Sequence, residues 1–312
     1  MPWKERYTIS DEKSLADDEI RWPQGARCCI SITVDLSMAA GRDGIRVADL
    51  TTPEAEFGAN QGLSALLVML KRYGLRATFA VPAVLAHIYA DKVRTVLDEG
   101  HEVAANGFKH EDISALERDD ECQRIARTTE ILAEVTGRRP EGWFSLPRQG
   151  DPFAGGTISP NTMELLIEAG YAYMGNGLAD DIPHYWVTDF ASQRAILTLP
   201  YYYHFDDQFF LMFPRKGTSL EHPDALFNNW KAEFDAQYKR GRHFHMTLHP
   251  HHIGWCNRLQ LLDDFLSYLR SFPSLWNPTG AECARYWLET YPASVYLRFE
   301  PSIWRDHAGS LS

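Results

Sequence analysis

The feature of this chain that most constrains its fold is the repeated alternation of short apolar runs with longer amphipathic segments. Residues 27–34 (RCCISITV) are apolar and rich in β-branched side chains, which predicts a buried strand that ends at Asp35. Residues 61–73 (QGLSALLVMLKRY) place apolar side chains at helical spacing. Strands that alternate with helices of this length indicate a parallel sheet or barrel. We therefore expect an α/β fold with one domain over residues 27–312, preceded by a polar surface segment over residues 1–26.

The same alternation continues along the rest of the chain, without an internal repeat. Further strands are predicted over residues 76–81, 101–105, 142–146, 171–174, 194–200, 208–213 and 244–248. Further helices are predicted over residues 82–97, 115–136, 160–169, 223–240, 257–271 and 279–291. Residues 36–59 are rich in Gly, Ala, Thr and Asp and are expected to form a long loop, and long loops in compact domains are more often functional than idle.

Composition narrows the possible partners and the compartment. The chain has 312 residues and a formal net charge of −11, so we expect no nucleic-acid or anionic-membrane partner, because phosphates attract basic surfaces. No apolar run approaches the roughly 20 residues of a membrane span, and the charged N-terminus lacks the apolar core of a signal peptide. The cysteines are five in number and form no CxxC pair, which is typical of packed thiols in a reducing compartment. We therefore expect a cytoplasmic protein.

Polar side chains occur at four predicted strand ends, where packing does not require them. Ligands of parallel α/β folds bind beyond the carboxyl ends of the strands, so residues at these ends are candidates for a common site. Gly107 permits a tight turn that would bring the two polar residues around it to one point. The candidates are Asp35, Asn106, His110, Arg148 and His249.

A carboxylate and imidazoles that converge at strand ends are suited to Zn²⁺ or a similar cation. Asp35 and His110 are therefore candidate metal ligands, and His249 is a candidate proton donor to a leaving amine. Each residue also has a simpler interpretation. Asp35 could cap a loop, His110 could cap the segment after it, and Arg148 could pair with a nearby acid. At least two of the three histidines in the HPHH segment are expected to be surface residues.

Taken in order, seven segments of the chain resemble the polysaccharide deacetylase family, which are carbohydrate esterases on an irregular (β/α) barrel. The resemblance covers residues 27–290 and is to the branch that includes peptidoglycan-deacetylase-like and allantoinase-like proteins. It implies that this chain has the same irregular barrel. The segments are SITVDLS, RATFAVP, GHEVAANGFKHEDIS, FSLPRQG, YMGNGLADDIPHYW, LPYYYHFDDQFFLMF and MTLHPHHIG.

The chain departs from the family pattern at two positions. The first family motif has two acids two residues apart, a general base and a metal ligand, which fall here on Thr33 and Asp35. Threonine cannot accept a proton at neutral pH. The two metal-binding histidines of the family fall on Asn106 and His110, and an amide oxygen is a poor Zn²⁺ ligand. The last motif matches at His249, so the resemblance implies a divalent-metal enzyme, normally a zinc enzyme, with an incomplete site.

Three functions are consistent with this pattern. The first is a hydrolase of a C–N bond in a small cytoplasmic amide, cyclic imide or ureide, with a rebuilt, metal-poor active site. The second is a metal-dependent deacetylase with an Asp-Asn-His site, and the third is a non-catalytic binding protein that uses the same cleft. In the first, protons are transferred by Asp35, His110 and His249. Its substrate is held by Asn106, Arg148 and the aromatic wall residue Trp143.

Aromatic residues outside the predicted core suggest an interface between copies of the chain. Relatives in this branch are commonly oligomers, so the resemblance favours a homo-oligomer. The aromatic residues expected to be exposed are Trp186, Tyr201, Tyr202, Tyr203 and Trp304.

Overall fold

In the computed structural model, which describes residues 15–38, 41–148, 151, 156–189, 192, 194–211 and 223–296, nine strands form one sheet. The strands are β1 (Cys28–Asp35), β2 (Thr78–Val81), β3 (Glu102–Ala105), β4 (Gly142–Trp143), β5 (Tyr173–Gly177), β6 (His184–Asp189), β7 (Arg194–Pro200), β8 (His243–Leu248) and β9 (Leu275–Trp276).

Helices follow most of these strands and cover the sheet. They are α1 (Val47–Leu50), α2 (Pro53–Phe57), α3 (Leu63–Tyr73), α4 (Ala83–Ile88), α5 (Ala90–Asp98), α6 (Arg118–Thr136), α7 (Thr162–Glu168), α8 (Asp207–Leu211), α9 (Pro223–Arg240), α10 (Pro250–Ile253), α11 (Cys256–Arg270), α12 (Gly280–Thr290) and α13 (Ala293–Tyr296). A π-helical turn, Gly58–Gly62, precedes α3, and two 3₁₀ turns occupy Pro23–Gly25 and Tyr203–Phe205. Among the described helices, none combines the length and the apolar character that a bilayer crossing needs.

The sheet is mostly parallel, as the sequence predicts. Its strand order is β6-β7-β5-β4-β3-β2-β1-β8, with β9 paired to β1. Every described strand pair is parallel except β6 with β7. An isolated bridge between Asp206 and Thr247 joins the chain after β7 to β8, which brings the two ends of the sheet together. The predicted α/β class and irregular barrel are confirmed.

Strand β1 separates an apolar face from a polar one, because successive side chains of a strand point to opposite sides. Its even-numbered residues, Cys28, Ile30, Ile32 and Val34, pack in the main core beneath the helices. The odd-numbered ones point toward β8: Ser31 contacts His243, Thr33 contacts His245, and Asp35 contacts His249. The interior of the barrel thus holds a column of polar pairs that ends at the carboxyl ends of the strands.

Three sequence predictions about secondary structure are wrong. Residues 208–211 are helical rather than extended, and residues 212 and 213 lie outside the described part of the chain. The side chain of Asp206 accepts a hydrogen bond from the backbone N–H of Gln208 at 3.0 Å, which starts a helical turn and not a strand. Strand β6 was not predicted, and the expected loop 36–59 contains α1 and α2.

Most described residues of the N-terminal segment are exposed, but buried side chains attach it to the barrel. Ile20 and Trp22 are buried, and the Trp22 indole N–H donates to the backbone oxygen of Gly241 at 2.9 Å. The Trp22 ring packs against Trp287, with 5.6 Å between ring centroids. This segment therefore completes the second core cluster, at the N-terminal ends of β1 and β8.

The aromatic residues expected at an interface are mostly inside the protein. Trp186 and Tyr201 are buried, and Tyr202 is half-buried. Tyr203 is exposed, whereas Trp304 lies outside the described residues. The buried positions follow from the pairing of β6 with β7 and from the hydrogen bond that the Tyr201 hydroxyl donates to Asp206.

Two glycines of the π-helical turn allow α10 to pack against it. A Cβ atom on Gly62 would lie 2.2 Å from the backbone oxygen of Pro250, and one on Gly58 would lie 2.6 Å from Cβ of His251. Both glycines have ordinary helical geometry, so it is the close approach of the two backbones that requires them. This contact fixes the segment that follows β8.

We predict that Gly62→Ala destabilises the protein by about 1–3 kcal/mol, because the added methyl group meets rigid backbone. Chemical denaturation of the variant would measure this change. The matched control is Gln61→Ala, since Gln61 is exposed in the same turn and its replacement should change the free energy of unfolding little. Equal stabilities of the two variants would show that the turn and α10 are not in close contact.

Candidate active site

Asp35 and His249 meet at the carboxyl ends of adjacent strands β1 and β8. The Asp35 Oδ2 and His249 Nε2 atoms are 3.4 Å apart, and both side chains are buried. The other carboxylate oxygen of Asp35 accepts hydrogen bonds from the backbone N–H of Ser37 at 2.8 Å and from Nδ2 of Asn106 at 3.2 Å. Three of the five residues predicted to converge therefore meet at one carboxylate: Asn106 and His249 both contact Asp35.

The orientation of the Asn106 amide is determined by the backbone. Its Oδ1 accepts a hydrogen bond from the N–H of Leu146 at 3.2 Å, and only an oxygen can accept there. The NH₂ group must then face Asp35. Asn106 thus presents a hydrogen-bond donor, not a lone pair, to the position where the family has a metal-binding imidazole.

His110 lies in the same pocket as a neutral imidazole. Its Nε2–H donates to the backbone oxygen of Leu146 at 2.8 Å, which leaves Nδ1 as a buried acceptor without a hydrogen-bond partner. Burial lowers the pKa of His110, and the nearby charge of Asp35 opposes this only in part. The tight turn predicted at Gly107 is present, with φ of 74° at Gly107 and 57° at His110. His110 therefore offers a lone pair next to Asp35.

Two acids missed by the sequence analysis hold His249. Its Nδ1–H donates to Asp207 Oδ1 at 2.7 Å, its backbone N–H donates to Asp207 Oδ2 at 2.9 Å, and Asp206 Oδ1 is 3.5 Å from Nδ1. Burial alone would lower the pKa of His249, but the charges of Asp206 and Asp207 raise it well above its ordinary value. His249 is thus an imidazolium at neutral pH. The adjacent acids of the HFDD segment were the available signal.

The carboxylates of the site have opposite pKa shifts. Burial would raise the pKa of Asp35, yet the adjacent positive charge of the His249 imidazolium and the hydrogen bond from Ser37 hold it at about 2. Burial raises the pKa of Asp206 to about 7, with the neighbouring charge of Asp207 adding to the shift and His249 opposing it. Asp35 is therefore ionised at neutral pH, whereas Asp206 titrates there.

Arg148 and Trp143, predicted to bind substrate, are engaged elsewhere. The buried Arg148 guanidinium donates to Asp151 at 2.8 Å and to Thr157 at 2.9 Å, which is the pairing that the simpler interpretation expects. Trp143 lies in the main core, 5.4 Å from the Tyr171 ring, because the alternation of β4 directs it away from the barrel interior. The prediction that Trp143 lines the cleft is wrong, and a substrate contact of Arg148 stays a prediction.

The histidines after β8 are buried as well, contrary to expectation. His251 and His252 lie in the short helix α10 and have only 6% of their surface exposed. The His251 Nδ1 atom has no hydrogen-bond partner, and burial lowers the pKa of His251 to about 3. The close packing of α10 on the π-helical turn encloses both rings.

The residues present do not fit the zinc site that the resemblance implies. Among the described residues, the buried Nδ1 of His110 has no hydrogen-bond partner, but Asn106 turns its NH₂ group toward Asp35. A donor N–H cannot ligate a cation. Three clusters of the described residues could hold a metal ion, and none of them contains both Asp35 and His110. These clusters are Cys29 with His243 and Cys283, Glu54 with His251 and His252, and Asp206 with Asp207 and His249.

We predict that Asp207→Asn lowers the pKa of His249, since it removes a negative charge that favours the imidazolium. Two-bond ¹H–¹⁵N correlation spectra recorded from pH 6 to 10 would report this pKa directly. His184 is the internal control, because its Nδ1 contacts the backbone of Ile182 and its signals should not change. An unchanged titration of His249 would contradict the proposed charge pairing.

Comparison with known proteins places these motifs in one family. The polysaccharide deacetylase family matches residues 51–174. A peptidoglycan deacetylase of Helicobacter pylori is 24% identical, covering 62% of this chain and 72% of the relative. A peptidoglycan deacetylase-like protein of Gibberella zeae is 22% identical over 74% of this chain and 77% of the relative.

Solved structures show the same fold. An allantoinase has a TM-score of 0.74 and 23% identity, covering 90% of this chain and 95% of that one. A probable polysaccharide deacetylase from Pseudomonas aeruginosa has the same TM-score and identity, covering 91% and 98%. Polysaccharide deacetylases are hydrolases that act on C–N bonds other than peptide bonds, and this chain has the same reaction class. The family match over residues 51–174, the relatives and the shared barrel agree with the sequence motifs, and the chain is similar to the polysaccharide deacetylase family.

Proposed function

We propose that this protein hydrolyses a C–N bond of a small amide, cyclic imide or ureide without a metal ion in its cleft. The observation that carries the proposal is the buried chain of contacts from Asp207 through His249 to Asp35. It pairs an ionised carboxylate with an imidazolium, which are the proton acceptor and proton donor that hydrolysis needs. Asn106 replaces one of the family's zinc-binding imidazoles and donates to Asp35. This supports a mechanism that uses only the carboxylate and the imidazolium.

The two groups act on opposite partners of the reaction. Asp35 takes a proton from water as the water oxygen bonds to the carbonyl carbon. His249 Nε2 gives its proton to the nitrogen as the C–N bond breaks. Because Asp35 Oδ2 and His249 Nε2 are 3.4 Å apart, the proton on Asp35 can then pass to His249, and both groups regain their starting states. The second hydrogen of the Asn106 amide is available to the carbonyl oxygen as it gains negative charge.

The position of Asp35 supports its assignment as the base. Thr33 lies one residue pair deeper in the barrel, where its hydroxyl contacts His245 at 3.0 Å. The sequence analysis sets this family motif on Thr33 and Asp35, and a shift of two residues would set its base position on Asp35 and its ligand position on Ser37. In that register the base is retained, and the metal ligands are replaced at Ser37 and Asn106. Replacement of two of the three metal ligands is consistent with a site that does not use zinc.

Unpartnered acceptors in the cleft support a substrate rich in N–H groups. Among the described residues, His110 Nδ1 and His251 Nδ1 are buried without hydrogen-bond partners, and the charge of Asp35 reaches both imidazoles. Asp35 Oδ2 has only the His249 ring nearby, at 3.4 Å. A buried acceptor without a donor is costly, so a bound ureide or imide N–H would stabilise the complex. The burial of all these residues favours a small molecule over a polymer. An allantoinase with the same fold makes ureides the first substrates to test.

The proposed setting is the cytoplasm, and the proposed assembly is a homo-oligomer. All five cysteines have free thiols, including the exposed Cys122 and Cys256, which suits a reducing compartment. The net charge of −11 favours a small neutral or cationic partner over nucleic acid.

We predict that a panel of cyclic imides, ureides and N-acyl amino acids contains a substrate, and that Asp35→Asn and His249→Gln each lower its kcat/KM by about 100-fold to 10,000-fold. Ammonia or carboxylate release would be measured. Asp181→Asn is the matched control, because Asp181 pairs with Arg242 outside the cleft. No turnover across the panel, or a wild-type kcat/KM in Asp35→Asn, would contradict the proposal.

We also predict that Ser37→Asp combined with Asn106→His restores zinc binding in the cleft. The introduced carboxylate and imidazole would join His110 as a three-ligand set, which is the usual requirement of a catalytic zinc. Zinc content after desalting should rise by one ion per chain above wild type. Asn60→His is the control, since Asn60 is exposed on the π-helical turn. A zinc content equal to that of wild type would show that the cleft has lost the inherited geometry.

A further inference from the structure

A second cluster of potential ligands lies at the opposite end of the barrel. One ligand atom each from Cys29, His243 and Cys283 lies within 4.8 Å of the other two. All three side chains are buried, with exposures of 0%, 2% and 0%. Cys29 lies near the beginning of β1, six residues before Asp35, so the two sites are on the order of 20 Å apart along the strand.

The fold brings these three residues together from three elements. Parallel pairing of β1 with β8 sets Cys29 opposite His243. Cys283 reaches them from the first turns of α12, whose start is fixed by a capping box between Thr279 and Glu282. Cys28 points the other way, into the main core, so only one of the two adjacent thiols takes part.

The contacts of His243 are those of a metal ligand. Its Nε2 is 2.8 Å from the Ser31 hydroxyl, and its Nδ1 is buried without a hydrogen-bond partner. Metal-bound histidines usually donate their other ring N–H to an oxygen, which orients the ring and fixes the tautomer. In the tautomer that donates Nε2–H to Ser31, the Nδ1 lone pair is free to bind a cation. Hydrogen bonding inside the protein does not otherwise account for this nitrogen.

The surroundings exclude water and favour a neutral complex. The Trp22 ring lies 6.3 Å from the His243 ring, and Trp22 and Trp287 belong to the same buried apolar cluster as the two thiols. Two thiolates and a neutral imidazole balance the charge of Zn²⁺, so the site filled with Zn²⁺ would carry no net charge, whereas Cu⁺ would leave one negative charge. Sulfur and imidazole ligands select thiophilic cations over Mg²⁺ and Ca²⁺.

We propose that Cys29, His243 and Cys283 form a structural site for a thiophilic d¹⁰ cation, Zn²⁺ or Cu⁺. Binding replaces the two thiol protons, which are released to solvent, and forms two metal–sulfur bonds and one metal–nitrogen bond. The ion joins β1, β8 and α12 beneath the N-terminal segment. It stabilises the barrel and takes no part in the chemistry of the cleft.

The test uses the full chain, reduced, stripped of metal with a chelator under anaerobic conditions and then loaded separately with Zn²⁺, Cu⁺ or Co²⁺. We expect one retained ion per chain from the Zn²⁺ or the Cu⁺ arm, and the arm with the higher retained content identifies the ion. Co²⁺ loading should give a thiolate-to-cobalt charge-transfer band in the near ultraviolet. Loading should also raise the melting temperature by several degrees.

Cys29→Ser, Cys283→Ser and His243→Gln should each abolish the retained ion and the rise in melting temperature. Cys28→Ser is the matched control, because Cys28 is equally buried on the opposite face of the same strand, and it should retain both. The cobalt spectrum of the wild type decides the matter even if a variant fails to fold. Absence of the charge-transfer band, equal metal content in Cys29→Ser, or a Cys29–Cys283 disulfide found by mass spectrometry would overturn the proposal.

Discussion

The buried ion pair between Asp35 and His249 is the interaction on which the rest of the site depends. It joins two adjacent strands at their carboxyl ends, and neither charge could be buried there alone without a large loss of stability. Asp207 holds the imidazolium from behind, and the backbone N–H of Ser37 supports the carboxylate. The same contacts that compensate the burial of these charges also set their protonation states, so stability and chemistry are coupled.

The site pairs a buried carboxylate with an imidazolium, whereas the metal set that the resemblance implies is altered. The change is small in composition, because an amide stands where the family has an imidazole. Its effect is large, because the backbone N–H of Leu146 donates a hydrogen bond to Asn106 Oδ1. The NH₂ group of Asn106 therefore faces Asp35. A potential metal ligand has thereby become a hydrogen-bond donor that supports the carboxylate. This one contact accounts for the poor fit of zinc, whereas the ionised state of Asp35 depends mainly on His249.

The polar interior of the barrel runs from one end to the other, and its two ends have different properties. At the carboxyl ends of β1 and β8, charged groups pair and face a cleft. At the other end, the N-terminal segment covers Cys29 and His243. A thiol and a neutral imidazole are therefore buried there among apolar side chains. The strict alternation of a strand allows both, since every second residue faces the interior while the others form the core.

The sequence by itself determined the α/β class, the order of most elements and the candidate residues Asp35, Asn106, His110 and His249, because apolar periodicity and strand-end polarity are local signals. Tertiary structure decided the rest. It buried aromatics that were expected outside and brought Asp206 and Asp207 to His249. Each of these outcomes depends on partners distant in the chain, and local pattern carries no information about which distant groups will meet.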